Sequence, residues 1–365
     1  MADTVFILGA GASRESGAPL MNDFLDVAYR LWKQKDTGEY KDDFENVFGA
    51  IAALTRVHSK SVLDIDNIES VFAAFEMGRT LNTFPERNPE DIPTLISSLK
   101  RVIVYTLERK LRFPVAGGRH IGIHPTYHQL MLLIHQLSTD HRPNLKSAII
   151  TFNYDIAIDM AIHCSGRQLN YGLGDRAPIR DAIPVLKLHG SLNWTTNKET
   201  GDIYPWYLSN YFSRHSLNAF PELKYCTMAI GSQLKHINKK KKMEVVTAEP
   251  VIVPPTWNKS DSHLALSKVW TEAAHELETA ENIFIIGYSM PGTDAFFHYL
   301  YSLGTAGNTL LKRIWVFNPE KTGLVKQRFE SMLGPAAKSR FEYFPVTFGE
   351  ATGIISERMK QEAKE

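Results

Sequence analysis

Two side chains in this sequence are suited to handling a reacting oxygen. Asn153, in Thr151-Phe152-Asn153-Tyr154-Asp155, carries a donor and an acceptor on one amide, so it can order a sugar hydroxyl and a water together. His189, in Leu188-His189-Gly190-Ser191, offers an imidazole, which ordinarily titrates near neutral pH and can manage a proton. A third stretch, Gly9-Ala10-Gly11-Ala12-Ser13-Arg14, lies between a short apolar run, Thr4 to Leu8, and an amphipathic one, Leu20 to Trp32. A strand that feeds a glycine turn and then a helix aims backbone N–H groups and the positive end of the helix dipole at one space, which suits a phosphate. Without a Cβ, Gly9 and Gly11 would let a diphosphate approach the main chain. The turn is short of the full dinucleotide fingerprint, because Arg14 stands at its third glycine, and no Gly-Lys-Ser/Thr tripeptide of the P-loop occurs.

The elements that must position these residues read as alternating strands and helices. Apolar, β-branched runs predict strands at Ser147–Thr151, Pro184–Leu188, Pro250–Pro254, Asn282–Ile286 and Arg313–Phe317. Helical spacing predicts helices over Ile156–His163, Leu264–Leu277, Ala295–Leu303 and Gly323–Leu333. Strand, polar end and helix, repeated, predict an α/β fold with a doubly wound, mostly parallel, Rossmann-like sheet that binds its ligand at the carboxyl ends of the strands. Those ends carry Gly9-Ala10-Gly11, Asn153 and Asp155, His189-Gly190-Ser191, Gly287 and Ser289, and Asn318, so they would line one crevice fit for a nucleotide. Between the first two strands, residues 36–138 read as an inserted helical subdomain, opened by a loop over 36–43. In it Phe44, Val47, Phe48, Ile51 and Leu54 recur at helical steps, as do Ile68, Val71, Phe72 and Phe75, and then Leu95, Leu99, Val102, Ile103 and Leu107. Asp66 or Asn67 would cap one helix, Pro93 suits the first turn of another, and His124-Pro125 opens a third through Leu137. Residues 195–246 read as a second insertion or mobile cover whose Lys239–Lys242 run is a solvated loop, and the tail Glu357–Glu365 as a solvated helix end.

Bulk properties exclude several classes. The 365 residues, 44% hydrophobic, are enough for a large core within a single domain. Lys and Arg together number 41 against 40 Asp and Glu, so charge exerts no general pull toward nucleic acid or an anionic membrane. Two cysteines, Cys164 and Cys226, are too few for a disulfide framework or a four-thiolate zinc site. The histidines show no metalloprotease pair, so no metal site is expected. The chain enters its first strand at once and has no apolar run of bilayer length, which predicts a cytoplasmic protein without signal peptide or membrane anchor.

Taken in order, Gly9-Ala10-Gly11-Ala12-Ser13, Thr151-Phe152-Asn153-Tyr154-Asp155, Leu188-His189-Gly190-Ser191, Gly287-Tyr288-Ser289 and Asn318 resemble the sirtuin superfamily, and most of all the bacterial sirtuin-like domains that hydrolyse NAD in antiphage defence. The resemblance implies that Gly9, Ala10, Gly11, Ala12 and Ser13 hold the diphosphate of NAD, with Arg14 adding charge. It implies that Asn153 and Asp155 order the nicotinamide ribose and the reacting water or acceptor, and that His189 is the catalytic histidine, followed by Gly190 at the same site. Gly287 and Ser289 would lie near the adenosine half, and Asn318 would contact the adenine ribose. Asn153 and Asp155 also compete for a plainer task, capping the helix that follows, with Asp155 the more structural of the two.

The departures narrow the activity. Sirtuin deacylases carry two Cys-x-x-Cys pairs for a structural zinc, which this chain lacks. Their Gly-Ile-Pro-Asp-Phe, whose Asp grips the carboxamide, is here Gly17-Ala18-Pro19-Leu20-Met21, and Phe152 replaces a Gln. The resemblance therefore implies an NAD glycohydrolase that releases nicotinamide and ADP-ribose, by hydrolysis or cyclisation, in defence by NAD depletion. A protein deacylase or ADP-ribosyltransferase, and a non-catalytic NAD or ADP-ribose sensor, are the alternatives. An enzyme of this kind would be held in check by self-association in a homo-oligomer or by a partner such as a ring ATPase. Of the remaining residues, Asp294 reads as a helix cap or a ligand contact, Trp257 and Asn258 as a border of the nicotinamide end or an exposed turn, and His298 and Tyr299 as packing residues.

Overall fold

The computed structural model describes residues 2–55, 63–116, 120–141, 145–174, 181–206, 208, 225–231, 234, 245–253, 261–292, 295–307 and 309–362. The run Thr-Val-Phe-Ile-Leu forms β1 (Thr4–Leu8), with every side chain buried, as a strand covered on both faces requires. Around it stand β2 (Ser147–Thr151), β3 (Leu169–Asn170), β4 (Ile183–Lys187), β5 (Asn282–Ile286), β6 (Arg313–Phe317) and β7 (Phe341–Phe344). The sheet has seven strands in the order β7-β6-β5-β1-β2-β4-β3, and every neighbouring pair is parallel. The order reverses direction at β1, whose register sets Leu8 beside Ile286 on one side and Thr151 on the other. That switch point is where an open parallel sheet leaves a crevice at its carboxyl edge. The fold is α/β, doubly wound and Rossmann-like.

Helices cover the sheet: α1 (Phe24–Lys33), α2 (Lys41–Thr55), α3 (Ile68–Leu81), α4 (Ile92–Lys110), α5 (Pro125–Gln136), α6 (Ala157–Cys164), α7 (Asp261–Glu278), α8 (Ala295–Gly304), α9 (Leu324–Met332) and α10 (Phe348–Glu362). Asn67 caps α3 by accepting from the N–H groups of Glu69 and Ser70, and Pro93 sits in the first turn of α4. Phe44, Val47, Phe72, Phe75, Leu99 and Val102 are buried and continuous with the sheet's core in one apolar cluster. At ~1.5–3 kcal/mol for each large side chain taken out of water, this continuity fixes the helical block against the sheet.

Several expectations are corrected. The helix expected from Leu20 begins at Phe24, because Asp23 turns its carboxylate back to the Leu20 N–H at 2.6 Å and closes a turn there. Most of the loop expected over 36–43 is structured: Gly38–Tyr40 is a 3₁₀ turn, and α2 starts at Lys41, with Asp42 and Asp43 favouring the positive end of its dipole. Val251–Ile252 lies outside the parallel sheet and pairs antiparallel with Gly190–Ser191. The edge strands β3 and β7 escape a pattern search, the first because it has only two residues and the second because all four of its side chains are half-buried. His298 and Tyr299 face solvent, Tyr299 at 61% exposure, and stack on each other rather than on the core. At the start of 195–246 the described residues form a hairpin of Trp194–Thr196, which begins one residue before the range, and Ile203–Pro205. Lys239–Lys242, Trp257, Asn258 and Asp294 lie outside the described residues.

Candidate active site

The first glycine turn crosses the turn after β5 in main-chain contact. The Gly9 N–H donates to the Ile286 carbonyl at 3.0 Å and the Gly11 N–H to the Gly287 carbonyl at 2.8 Å. A Cβ on Gly9 would lie 2.5 Å from the Tyr288 Cα, and one on Gly287, where φ is +65°, would lie 2.3 Å from the Ala12 nitrogen. These glycines are required by the crossing of two backbones. The N–H groups of Ala12 and Arg14 are also taken, by the carbonyls of Gly9 and Gly11. Much of the cradle expected for a diphosphate thus serves the chain itself. Ala10–Ser13 is one short 3₁₀ turn, and Arg14 reaches away to pair with Asp23 at the surface.

Ser13 and Asn153 meet beneath this crossing. The Asn153 Nδ2 donates to the Gly9 carbonyl at 2.9 Å and to the Ser13 Oγ at 3.1 Å, which fixes the amide's orientation and leaves Oδ1 to face an incoming group. The Asn153 N–H donates to Thr151 Oγ1, which donates to the Leu8 carbonyl, so the loop is also held at its root. The Ser13 Oγ lies 2.8 Å from the Tyr127 hydroxyl of α5. Burial holds the Asp155 carboxyl above the usual aspartate range, with the Lys187 ammonium and the Ser13 and Ala157 donors pulling against it. Burial and the Asp155 charge together push the Tyr127 phenol well up, so Tyr127 stays a donor. Asp155, and not Asn153, takes the start of α6: its Oδ1 accepts the Ala157 N–H at 2.8 Å.

Ser13, Asn153 and Asp155 form the polar end of a cleft of about 530 Å³, counted with its open mouth. The other walls are apolar, from Ala18, Pro19, Met21 and Phe24 on one side and from Ile68, Phe72, Ile103 and Leu107 of α3 and α4 on the other. Glu69 is the carboxylate that α3 adds to the lining. The helical block is therefore a wall of the site, which its sequence periodicity alone cannot show. A flat, weakly polar ring against the apolar walls and a sugar at the polar end would match this distribution.

His189 does not line that cleft. It is 5% exposed, with its ring 5.4 Å from Phe152 and 6.2 Å from Tyr154, and Tyr154 does line the cleft, so the imidazole stands one ring behind the wall. Phe152 stacks on Tyr288 at 4.3 Å, tying the second motif to the fourth. Asn318 joins the same group by donating to the Tyr288 carbonyl at 3.4 Å. The Ser289 carbonyl accepts from Arg328. Gly190, at φ +90°, leaves room for the Val251 carbonyl, 2.1 Å from where a Cβ would stand. All five stretches meet at one sheet edge, but only the first two contribute side chains to the described cleft.

Lys187, the last residue of β4, carries no exposed surface, and it stands in the sequence only as part of the apolar run Pro184–Leu188. Its Nζ donates to the Asp155 carbonyl at 2.5 Å, to Asp159 Oδ2 at 2.8 Å and to Ser191 Oγ at 2.6 Å. Ser191 in turn donates to Asn193 Oδ1, the Asn193 amide donates to Tyr171 and the Trp206 carbonyl, and the Tyr171 hydroxyl donates to Asp159 at 2.6 Å. Each proton of the ammonium thus has an acceptor. The signal available in the sequence is a lysine inside an otherwise apolar strand, with Asp159 on the buried face of a nearby helix. Among the described residues no cluster of His, Cys, Asp or Glu could hold a metal ion, and no helix is long and apolar enough to cross a membrane. Both cysteines are free.

No protein-family profile and no curated protein matches the chain. Among solved structures, one described as the structural basis for the mechanism and regulation of Sir2 enzymes is 16% identical, with a TM-score of 0.42, over 99% of this chain and 93% of that one. A Sir2 homologue in complex with NAD is likewise 16% identical, with a TM-score of 0.43, over 99% of this chain and 90% of its own. A Sir2 complex with the inhibitor EX-527, 2′-O-acetyl-ADP-ribose and a deacetylated p53 peptide is 13% identical, with a TM-score of 0.39, over 99% and 94%. Likeness at this level carries no argument by itself, and the fold class stands on the strand order and register.

Proposed function

We propose that the cleft takes the nicotinamide riboside end of NAD and that the protein cleaves the bond between nicotinamide and ribose, with water as acceptor. The observation that supports this most is Asn153, locked by the Gly9 carbonyl and Ser13 at the polar end of an apolar cleft, with Oδ1 left to the ligand. As the glycosidic C–N bond breaks, its electron pair leaves with the ring as neutral nicotinamide, and the ribose passes through an oxocarbenium-like state. Asn153 Oδ1 would accept from the attacking water or a ribose hydroxyl and so place it. The apolar walls receive the departing ring. His189, in this reading, receives the proton released when water adds, through an intervening water, since the imidazole itself is outside the described cleft lining. Contacts of the diphosphate with Ala10 and Ser13, the residues of the first turn that line the cleft, and of Gly190, Gly287, Ser289 and Asn318 with the rest of NAD, belong to the same proposal.

One observation favours a second reading, a sensor that binds NAD or ADP-ribose without turnover: His189 is packed among aromatic rings outside the cleft lining. Nicotinamide release decides between them. Wild type with NAD and water alone should release nicotinamide, and Asn153→Ala and His189→Ala should each lose at least about a hundredfold in rate, the usual worth of one positioned polar group or proton-transfer group. Release that waits for an acyl-lysine peptide or a protein acceptor would make the enzyme a deacylase or transferase. Binding of NAD with no release under any of these conditions would leave the sensor. A cytoplasmic role in defence by NAD depletion, restrained by self-association or a partner such as a ring ATPase, follows the same motif resemblance. Toxicity of the wild type in cells, absent for Asn153→Ala, is its expected sign.

A further inference from the structure

We infer that Lys187 is a positioning residue that locks the Asn153 loop and the His189 turn into one unit, an assignment that rests on the proposed cleavage reaction. The two segments leave neighbouring strands, β2 and β4, and each bears one of the groups the reaction uses. Lys187 bonds both. It holds the Asp155 carbonyl, two residues beyond Asn153, and the Ser191 hydroxyl, two residues beyond His189, while Asp159 balances its charge. The main-chain bond from the Leu192 N–H to the Tyr154 carbonyl at 3.0 Å lies along the same seam but restrains one peptide of each segment. A fully buried ammonium costs more in desolvation than an apolar side chain of its size would. An apolar residue would also leave the Asp155 carbonyl without the donor it now has. The acceptors chosen are informative: two of the three belong to the reactive loops and only one to the helix behind them. A buried ammonium needs an acceptor for each of its three protons whatever its role, and what singles this one out is that two of them lie on the two reactive segments.

The test removes both members of the ion pair together, so that Asp159 is not left without its counter-ion; Asp155, which burial already pushes up, then takes a proton more readily. In the Lys187→Met/Asp159→Leu protein, melting close to wild type establishes folding. Amide hydrogen exchange then follows peptides spanning residues 152–156 and 188–192, and steady-state nicotinamide release gives kcat and KM. The expected result is exchange faster by about tenfold or more in both peptides, with β1 and β5 unchanged. With it, kcat falls by about tenfold or more while KM stays within about twofold, the mark of an interaction realised in the transition state. Ser191→Ala, which keeps the ion pair and removes the link from Lys187 to the His189 turn together with the Ser191 bonds to Asn193 and the Tyr154 carbonyl, should shift kcat the same way and covers the case in which the double variant does not fold. Wild-type protection of both peptides together with kcat within about twofold of wild type, in a folded variant, would overturn the inference. Should the wild type release no nicotinamide with any acceptor, the proposed reaction fails. The exchange measurement still decides the coupling, which stands if both peptides loosen together and falls if either keeps its protection.

Discussion

On one flank of β1, toward β5, the strand ends are joined main chain to main chain: Gly9 and Gly11 donate to the Ile286 and Gly287 carbonyls, backbone lies on backbone where Gly9, Gly11 and Gly287 lack a side chain, and Phe152 stacks on Tyr288. On the other flank, toward β2 and β4, they are joined by directed bonds. Ser13, Asn153, Asp155, Lys187 and Ser191 each have named partners, and the direction of the protons follows from their chemistry. The first flank tolerates no added atom, while the second tolerates no lost donor or acceptor. The cleft opens on the second, where polar atoms can be aimed, and the glycine flank serves as the rigid stop behind it. Glycine-rich turns at strand ends are commonly taken as ligand cradles; here the partner of the turn is another turn of the same chain.

The comparison can be broken from either side. The largest effect expected is from Lys187→Met alone, which strands Asp159 in the core and should cost about 3–5 kcal/mol in urea unfolding, most of it regained in Lys187→Met/Asp159→Leu. Next, Gly287→Ala should cost about 3 kcal/mol, since it combines a left-handed backbone with a clash against main chain. Gly166→Ala, at φ +74° with nothing within 4 Å, should cost only about 1 kcal/mol by the same assay. Equal costs at the two glycines would refute the crossing as the reason for Gly287. The smallest effect concerns Asp155. Because its folded carboxyl holds a proton more tightly than the unfolded chain does, its contribution to stability falls as pH rises from about 4, the ordinary aspartate value, through the raised one. Asp155→Asn removes that titration, so its unfolding free energy should decline less than that of wild type between about pH 4 and neutrality. A steeper decline in the variant would contradict the burial assigned to this group.

How much of this is legible in the sequence depends on how far away the partner lies. β1 and β5 declare themselves because four or five consecutive apolar residues suffice, and the polar ends Asn153, His189 and Asn318 follow directly from the strands they terminate. The purpose of Gly9 does not, because the atoms that exclude its Cβ belong to Tyr288, far along the chain. Nor does the position of His189 behind Tyr154, since ring packing is decided by tertiary contacts that no local pattern carries. Lys187 is the sharpest case. Its place in Val185-Leu186-Lys187-Leu188 reads as one member of an apolar strand, and only the fold brings Asp159 and Ser191 to it.

That the polar end of this cleft receives a nicotinamide nucleotide is tested most directly by hydrogen exchange of the wild-type protein with and without NAD. Added protection should concentrate in peptides covering residues 10–24 and 152–155 and in the helical wall formed by Ile68, Phe72, Ile103 and Leu107. Exchange that NAD leaves unchanged in all of these, or protection that falls only on other parts of the molecule, would contradict it.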